Sequence, residues 1–245
     1  MADLTSPEGR FVESAELYDA IYHFKNYQRE SEQLRELIGR LVAGAHTLLD
    51  VGCGTGEHAK FLKQYYAVDG IDLNPDYLDA ARRKNPFGTY RRADMTDFDL
   101  DATYDVVTCL FSAIGYLKTA ERVDSAVASM ARHVRPGGAL LVEPWFPPDR
   151  WKPQALFVNT GETPDGLVCR MALSGRQDKL SVISLHYLHG TRRGIRYYAE
   201  RLELGLLTKE EMARSFDRAG MRVAYEPQGL IGRGLYIGTF PSRPR

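Results

Sequence analysis

Residues 48–56 read LLDVGCGTG, and the next apolar run, AVDGID at 67–72, closes on a second acid. The first run, 47–51, is short and apolar and reads as a buried strand. The glycine-rich turn 52–56 follows, then a helical pattern through Phe61 and Leu62. A loop without side chains lets backbone approach a ligand, and a helix N-terminus behind it offers free N–H groups. Asp72, at the tip of the second strand, can accept both hydrogen bonds of a ribose diol, so the pair reads as a nucleoside site. The spacing narrows it. Gly52-x-Gly54-x-Gly56 is not the GxGxxG of a pyrophosphate loop, and Glu57 stands where a phosphate would be repelled. The turn carries no Lys followed by Ser or Thr, as a nucleotide-triphosphate loop would. Asp50, just before the turn, suits an ammonium better than a phosphate. The implied ligand is a nucleoside with a cationic amino-acid tail.

Working outward, 15–24 and 27–43 place apolar groups at helical spacing: Leu17, Ile21 and Phe24 on one face, then Leu34, Leu37, Ile38 and Leu41 on another. Residues 75–84 read as a helix with Pro in its first turn. A third strand centres on Tyr90, a fourth covers 104–111, and a helix over 121–134 ends at Arg135-Pro136-Gly137-Gly138 before a fifth strand at 139–145. Continuous apolar strands alternating with helices indicate a parallel sheet covered on both faces. From 154 to 206 the pattern changes to LFVNTG, LVCRMAL, LSVISLHYL and GIRYYAERLELGLL, broken at PDG, SGRQDK and GTRRG, which predicts an antiparallel meander. A helix at 208–219, with Thr208 as N-cap and Gly220 as C-cap, precedes strand-like runs 221–226 and 234–240 around the loop PQGLIGRG. The expected fold is α/β: a Rossmann-like, mostly parallel sheet with a β-rich antiparallel insertion. The expected divisions are 1–150, 151–206 and 207–245.

The chain has 245 residues, with 32 basic and 32 acidic side chains, 44% hydrophobic and 26% charged residues. This is ordinary globular composition. The even charge balance gives no global field for nucleic acid or an anionic membrane, so an anionic ligand needs a local basic cluster. Three cysteines without CxxC spacing argue against a disulfide scaffold or a zinc site, and Cys53 reads as a small structural residue. No segment approaches the roughly 18–20 apolar residues of a membrane span, and no signal peptide is evident. A cytoplasmic protein without a metal is expected.

With these pieces in order, LLDVGCGTG, GIDL, RRADMTDF, YDVVTCLF and HVRPGGALLVEPW, the stretch 45–145 resembles the class I S-adenosylmethionine (SAM)-dependent methyltransferases. The resemblance implies SAM as cofactor and S-adenosylhomocysteine as product. It also implies roles for individual residues. Gly52 and Gly54 would face the methionine part, Asp72 the ribose hydroxyls and Leu73 the adenine. Asp94 would meet the adenine amine with Met95 beside the ring, and Phe111 would flank the sulfonium. Tyr18, Tyr22 and Tyr27 resemble the tyrosines that cover the SAM carboxylate in small-molecule members.

Over nearly the whole chain, AELYDAIYHFKNYQRE (15–30), CLFSAIGYLKT (109–119), VEPWFPP, HYL and GLIGRGLYIG (229–238) resemble nucleotide-sugar N-methyltransferases that make dimethylamino sugars for antibiotics. That resemblance implies a thymidine-diphosphate (dTDP)-linked amino sugar as substrate, two successive methylations of its amine, and subunits pairing through the β-rich insertion. Arg233, in a Gly-flanked loop, could offer a bidentate fork to phosphate. Arg170, Lys118, Arg192 and Arg193 are further cations, the last two reading better as solvated turn residues. Trp145 and Phe146 could wall the sugar or face the thymine. An acceptor amine must shed a proton before attack, and Tyr116 is the first candidate to sit near it, with Glu143 and His186 behind. The family often has His where Tyr116 stands. A different small-molecule N- or O-methyl acceptor, or SAM binding without transfer, are the competing readings.

Overall fold

The computed structural model describes residues 14–240; residues 1–13 and 241–245, the outer ends of the first and last expected divisions, lie outside the described residues. Two helices open the chain, α1 (Ala15–Ile21) and α2 (Tyr27–Leu41). Ser14 and Asn26 cap them through side-chain oxygens on the backbone N–H groups of Leu17 and Arg29. α1 ends at Ile21, so Phe24 leaves the predicted apolar face and is 56% exposed.

The central sheet contains β1 (Thr47–Val51), β2 (Ala67–Asp72), β3 (Tyr90–Arg92), β4 (Tyr104–Cys109), β5 (Val134–Val142), β10 (Arg222–Glu226) and β11 (Leu235–Thr239). Its order is β10-β11-β5-β4-β1-β2-β3, parallel except where β11 runs antiparallel to β5 and to β10. The helices α3 (Glu57–Leu62), α4 (Pro75–Lys84), α5 (Ala120–Arg132) and α6 (Lys209–Arg218) complete the two outer layers. Alternate strand residues divide the core. Leu48, Val68, Val106 and Leu141 pack with α2, α3 and α4, whereas Leu49, Ile71, Val107 and Leu140 pack with α5 and α6. The chain steps from β1 to β2 and β3 on one side, then returns to β4 on the other. That reversal is a topological switch point, where the carboxyl ends of the strands open a crevice.

The second sheet is the four-stranded meander β6 (Leu156–Thr163), β7 (Gly166–Gln177), β8 (Leu180–Thr191) and β9 (Gly194–Gly205). One face holds Val168, Ala172, Ile183, Leu185 and Tyr187 against Leu17, Ala20 and Ile21 of α1. α1 thus joins the meander to the mouth of the crevice.

Local chemistry moves three expected boundaries. β4 stops at Cys109, not at residue 111, because Phe111 and Ser112 take left-handed φ values of 49° and 61°. The segment Arg135-Pro136-Gly137-Gly138 does not follow the helix as a stop but opens β5, where the β4–β5 register shifts between Tyr104 and Val106. Such an irregularity tolerates a proline that donates no ladder hydrogen bond. The predicted break SGRQDK shrinks to a two-residue turn at Asp178-Lys179, with Asp178 at φ 51°. Among the described residues no helix is long and apolar enough to cross a membrane.

Candidate functional site: a cleft at the switch point

The carboxyl ends of β1, β2 and β4, the inner face of the meander, α1 and the 229–234 loop enclose a cleft of about 1630 Å³. At its base lies the glycine turn. Gly52 has φ +69°, and a Cβ there would come within 2.8 Å of Ala113 Cβ, so only glycine fits beneath the wall that Ala113 and Met95 form. Gly56, at φ +77°, lets α3 close on Ala81 of α4, where a Cβ would lie 2.9 Å from the Ala81 Cα. Two ties hold α1 over this turn: Thr55 Oγ1 donates to Asp19 Oδ1 at 2.5 Å, and Lys84 Nζ bridges Asp19 (2.5 Å) and Glu57 (2.7 Å). Glu57 is therefore matched by a lysine from α4.

Asp72 lines the cleft. Its Oδ2 accepts from the Gly54 N–H at 2.8 Å and its Oδ1 from the Asn74 N–H at 2.9 Å. Each oxygen keeps a further lone pair. Burial pushes the carboxyl up from its ordinary value, against the backbone donors. Leu73, Asp94 and Met95 continue the same wall. Asp94 also caps its own turn, accepting from the Thr96 N–H (2.9 Å) and Thr96 Oγ1 (2.8 Å), which holds it below the usual carboxylate range. Spare acceptors on Asp72 and Asp94, apolar flanks at Leu73 and Met95, and a turn that a Cβ would fill form a donor and shape set that fits an adenosyl group.

Tyr18, Tyr22 and Phe111 face the cleft too, with Tyr22 edge-on to Phe111 at 5.3 Å between ring centroids. Burial raises the Tyr18 phenol well above its usual value, so it is a neutral hydrogen-bonding group. Tyr116 projects into the lumen, and the surrounding walls likewise push its phenol upward, with Tyr22 and Asp72 adding to the effect. A phenol so raised accepts a hydrogen bond from an amine more readily than it removes a proton outright. Trp145, Phe146 and Trp151 cluster at 5.0–6.1 Å between centroids. Trp145 is pinned by its Nε1 donating to Ser181 Oγ at 2.8 Å.

Arg233 and Arg170 both line the cleft. The Arg233 guanidinium lies 4.8 Å from the Trp145 ring, 5.2 Å from Phe111 and 5.3 Å from Phe146, and donates to Ser112 Oγ at 2.9 Å. Arg170 is 6% exposed, sits 4.8 Å over Tyr22 and donates to Asn159 Oδ1 at 2.7 Å. Cations at Lys25, Arg29, Arg122, Arg150 and Lys152 complete the lining. Only Lys25 (Glu30, 2.7 Å) and Arg122 (Asp94, 3.6 Å) have a carboxylate within ion-pairing distance among the described residues.

Five expectations are corrected. His186 lies on the outer face of β8, bonded to Tyr197 at 2.6 Å, because the two-residue period turns it away from Ile183 and Leu185, which line the cleft. Lys118 pairs with Glu203 at 2.7 Å outside the cleft, whereas Arg192 and Arg193 sit exposed in the β8–β9 turn, in agreement with their reading as solvated turn residues. Asp50 is 3% exposed beneath the turn, does not line the cleft, and accepts from Thr108 Oγ1 at 2.9 Å. Tyr27 packs edge-on against His58, and Glu143 is fully buried behind the wall. Residues that sequence reading missed are Lys25, Arg29, Arg150, Trp151 and Lys152. The RE and RWK runs were visible, but only the packing of α1 and the meander aims them inward.

Burial holds the Asp50 carboxyl at about 6, roughly two units above the ordinary aspartate value. The folded chain therefore holds this proton more tightly than the unfolded one. The stability it contributes falls as pH rises from about 4 to 6 and stays reduced above that. Asp50→Asn keeps an acceptor for Thr108 and removes the buried charge. It is expected to raise stability at pH 7.5 by roughly 1–3 kcal/mol in urea unfolding, with SAM affinity within threefold of wild type. A SAM affinity tenfold weaker would return Asp50 to the ligand.

A family model described as a methyltransferase domain matches residues 48–138. The dTDP-3-amino-3,6-dideoxy-alpha-D-glucopyranose N,N-dimethyltransferase of Streptomyces fradiae is 39% identical over 230 residues, 92% of this chain and 90% of that protein. The sugar N-methyltransferase KedS8 from Streptoalloteichus sp ATCC 53650 superposes with a TM-score of 0.88 at 31% identity, covering 99% of both chains. SAM-bound CalS10, an amino pentose methyltransferase from Micromonospora echinaspora, gives 0.82 at 34%, covering 89% of this chain and 93% of that one. Sheet order, glycine turn and strand-end acid are those of a class I SAM-dependent methyltransferase. Within that class, the chain belongs to the family of the dTDP-amino-sugar N,N-dimethyltransferases.

Proposed function

We propose that this protein transfers methyl groups from SAM to the amine of a dTDP-linked amino-deoxysugar, twice in succession. One observation carries the assignment of an anionic nucleotide to the cleft. In a chain of zero net charge, five cations on the cleft walls, Arg29, Arg150, Lys152, Arg170 and Arg233, have no carboxylate within ion-pairing distance among the described residues. Unpaired guanidinium groups gathered against aromatic rings are suited to a diphosphate. In this reading Asp72, Leu73, Asp94, Met95, Gly52 and Gly54 hold the adenosyl group, Tyr18 and Tyr22 close over the amino-acid end, and Arg233 and Arg170 serve the nucleotide sugar.

Bound SAM supplies an electrophilic methyl on sulfur. The chain needs no nucleophile of its own. Its residues would orient the acceptor amine toward that methyl and exclude water. Tyr116 accepts a hydrogen bond from the amine N–H and orients its lone pair. Phe111 and Tyr22 supply an aromatic wall. The open lumen around Tyr116 leaves room for a second methyl on the same nitrogen.

The outer face of the meander presents Leu156 (71% exposed), Leu167 (63%), Val158, Met171, Leu173, Leu188 and Ile195. Single exposed apolar residues are ordinary, but a contiguous sheet face is not, and we assign it to pairing with a second copy. The three described cysteines are free thiols, which supports a reducing, cytoplasmic setting.

Mass spectrometry after incubation with SAM and a panel of dTDP-amino sugars tests the reading; a gain of two methyls on one member is expected. Arg233→Ala is expected to raise the sugar-nucleotide KM at least tenfold, with SAM affinity within threefold. An unchanged KM removes Arg233 from the phosphate site.

A further inference from the structure

Phe111 and Ser112 are consecutive non-glycine residues with left-handed φ (49° and 61°). Such conformations are strained for residues that carry a Cβ and persist where neighbours over-determine them. Here they follow β4 immediately and place Phe111 on the cleft wall. The neighbours are identifiable. Glu143 Oε2 accepts the Phe111 N–H at 2.7 Å, and Ser112 Oγ donates to the Pro144 carbonyl at 2.6 Å while accepting from Arg233. Around the ring stand Lys25 Nζ at 4.0 Å, the Arg233 guanidinium at 5.2 Å, and Tyr22 edge-on. Glu143 is 0% exposed and does not line the cleft, so it touches neither ligand. Its Oε1 has no hydrogen-bond partner. Glu143 N–H in turn donates to the Cys109 carbonyl at 2.9 Å, which fixes the carboxylate to the end of β4.

We propose that Glu143 is a positioning residue: its carboxylate clamps the left-handed Phe111–Ser112 pair and thereby sets the Phe111 ring between the cofactor turn and the acceptor cleft. This rests on the proposed methyl transfer. The clamp needs an acceptor at Oε2, not a proton shuttle. The charge is secondary: burial pushes the Glu143 carboxyl up from its ordinary value, against the opposing pull of Arg233 and Lys25.

Two variants separate the roles, assayed on the full chain with the panel substrate that accepts methyl from the wild type. Glu143→Gln retains an oxygen acceptor for the Phe111 N–H. It is expected to keep kcat within about threefold of wild type, with an unshifted pH–rate profile. Glu143→Ala removes the acceptor and is expected to lower kcat about 10–100-fold, while the sugar-nucleotide KM changes less than threefold. An acid–base role predicts the opposite for Glu143→Gln, a loss as large as that of Glu143→Ala with a lost limb of the pH profile. That result overturns the clamp. Equal kcat in wild type and Glu143→Ala, with only a lower Tm, also overturns it and leaves Glu143 to packing. Should Glu143→Ala not fold, Glu143→Gln against Phe111→Leu decides: the clamp requires Phe111→Leu to lose turnover and Glu143→Gln to keep it. If no panel member is methylated by the wild type, it is the proposed reaction that fails; SAM affinity then reads the clamp, expected unchanged in Glu143→Gln and weakened several-fold in Glu143→Ala, with equal affinities overturning it.

Discussion

Asp72→Ala is expected to weaken SAM binding about 100–1,000-fold, read by calorimetric titration. Two effects combine. A ribose diol donating to an ionised carboxylate makes hydrogen bonds worth about 1.5–3 kcal/mol each, and a tenfold change in affinity is about 1.4 kcal/mol. In addition, Asp72 organises the site before any ligand arrives, since its two oxygens accept from the Gly54 and Asn74 N–H groups at 2.8 and 2.9 Å. Alanine leaves both donors without that partner and frees the turn to relax. Asp72→Asn is therefore expected to fall between alanine and wild type. The thermal shift that SAM produces in wild type should vanish in Asp72→Ala at SAM concentrations that saturate the parent. Wild-type affinity in Asp72→Ala would remove this acid from the ribose.

The second large effect is on stability. Asp105, 8% exposed at the start of β4, accepts from the His46 N–H (2.7 Å), the Thr47 N–H (2.8 Å) and Thr47 Oγ1 (3.0 Å), and pairs with Arg135. One carboxylate thus fastens the beginnings of β1, β4 and β5. Asp105→Ala leaves two backbone donors without their acceptor, and unmade buried hydrogen bonds cost about 1–3 kcal/mol each. A loss of about 3–4 kcal/mol is expected, which for a chain of this length lowers Tm by roughly 8–15 °C. The pH dependence follows from the same contacts. Against burial, the His46 N–H and Arg135 hold Asp105 well below the usual carboxylate range. Its contribution is complete above the unfolded value near 4 and is lost as pH falls through the acidic range. Asp105→Ala should flatten acid unfolding accordingly. SAM affinity, measured below the transition, should not change, because Asp105 lies at the opposite end of the sheet from the glycine turn. A Tm within 2 °C of wild type would contradict this account.

Legibility in the sequence tracked how local the determining physics is. The turn at 52–56 and Asp72 were readable because a positive-φ glycine turn and a strand-end acid are properties of a few adjacent residues. The inner strands β1, β4 and β5 were readable because strands buried on both faces must be largely apolar. His186 was misread because alternation in a strand assigns two faces but not which one meets the rest of the molecule. Glu143 was misread for a related reason. A carboxylate after a strand can enter the cleft or turn behind its wall, and the left-handed turn at Phe111 and Ser112 decides between them. Neither residue is a glycine, so nothing in the local sequence announced that conformation.

The sequence by itself therefore determined the sheet, the glycine turn, the acid at the end of β2 and, through motifs in fixed order, the family. Each depends on contacts within one strand–turn–helix unit. The tertiary structure alone decided which cations face the cleft, that Arg233 rests among Trp145, Phe111 and Phe146, and that Asp50 and Glu143 lie behind the wall. Those facts arise where α1, the meander and the 229–234 loop converge. Groups as far apart in sequence as Ser112 and Arg233 meet there, and only the packing of the separate elements can bring them together.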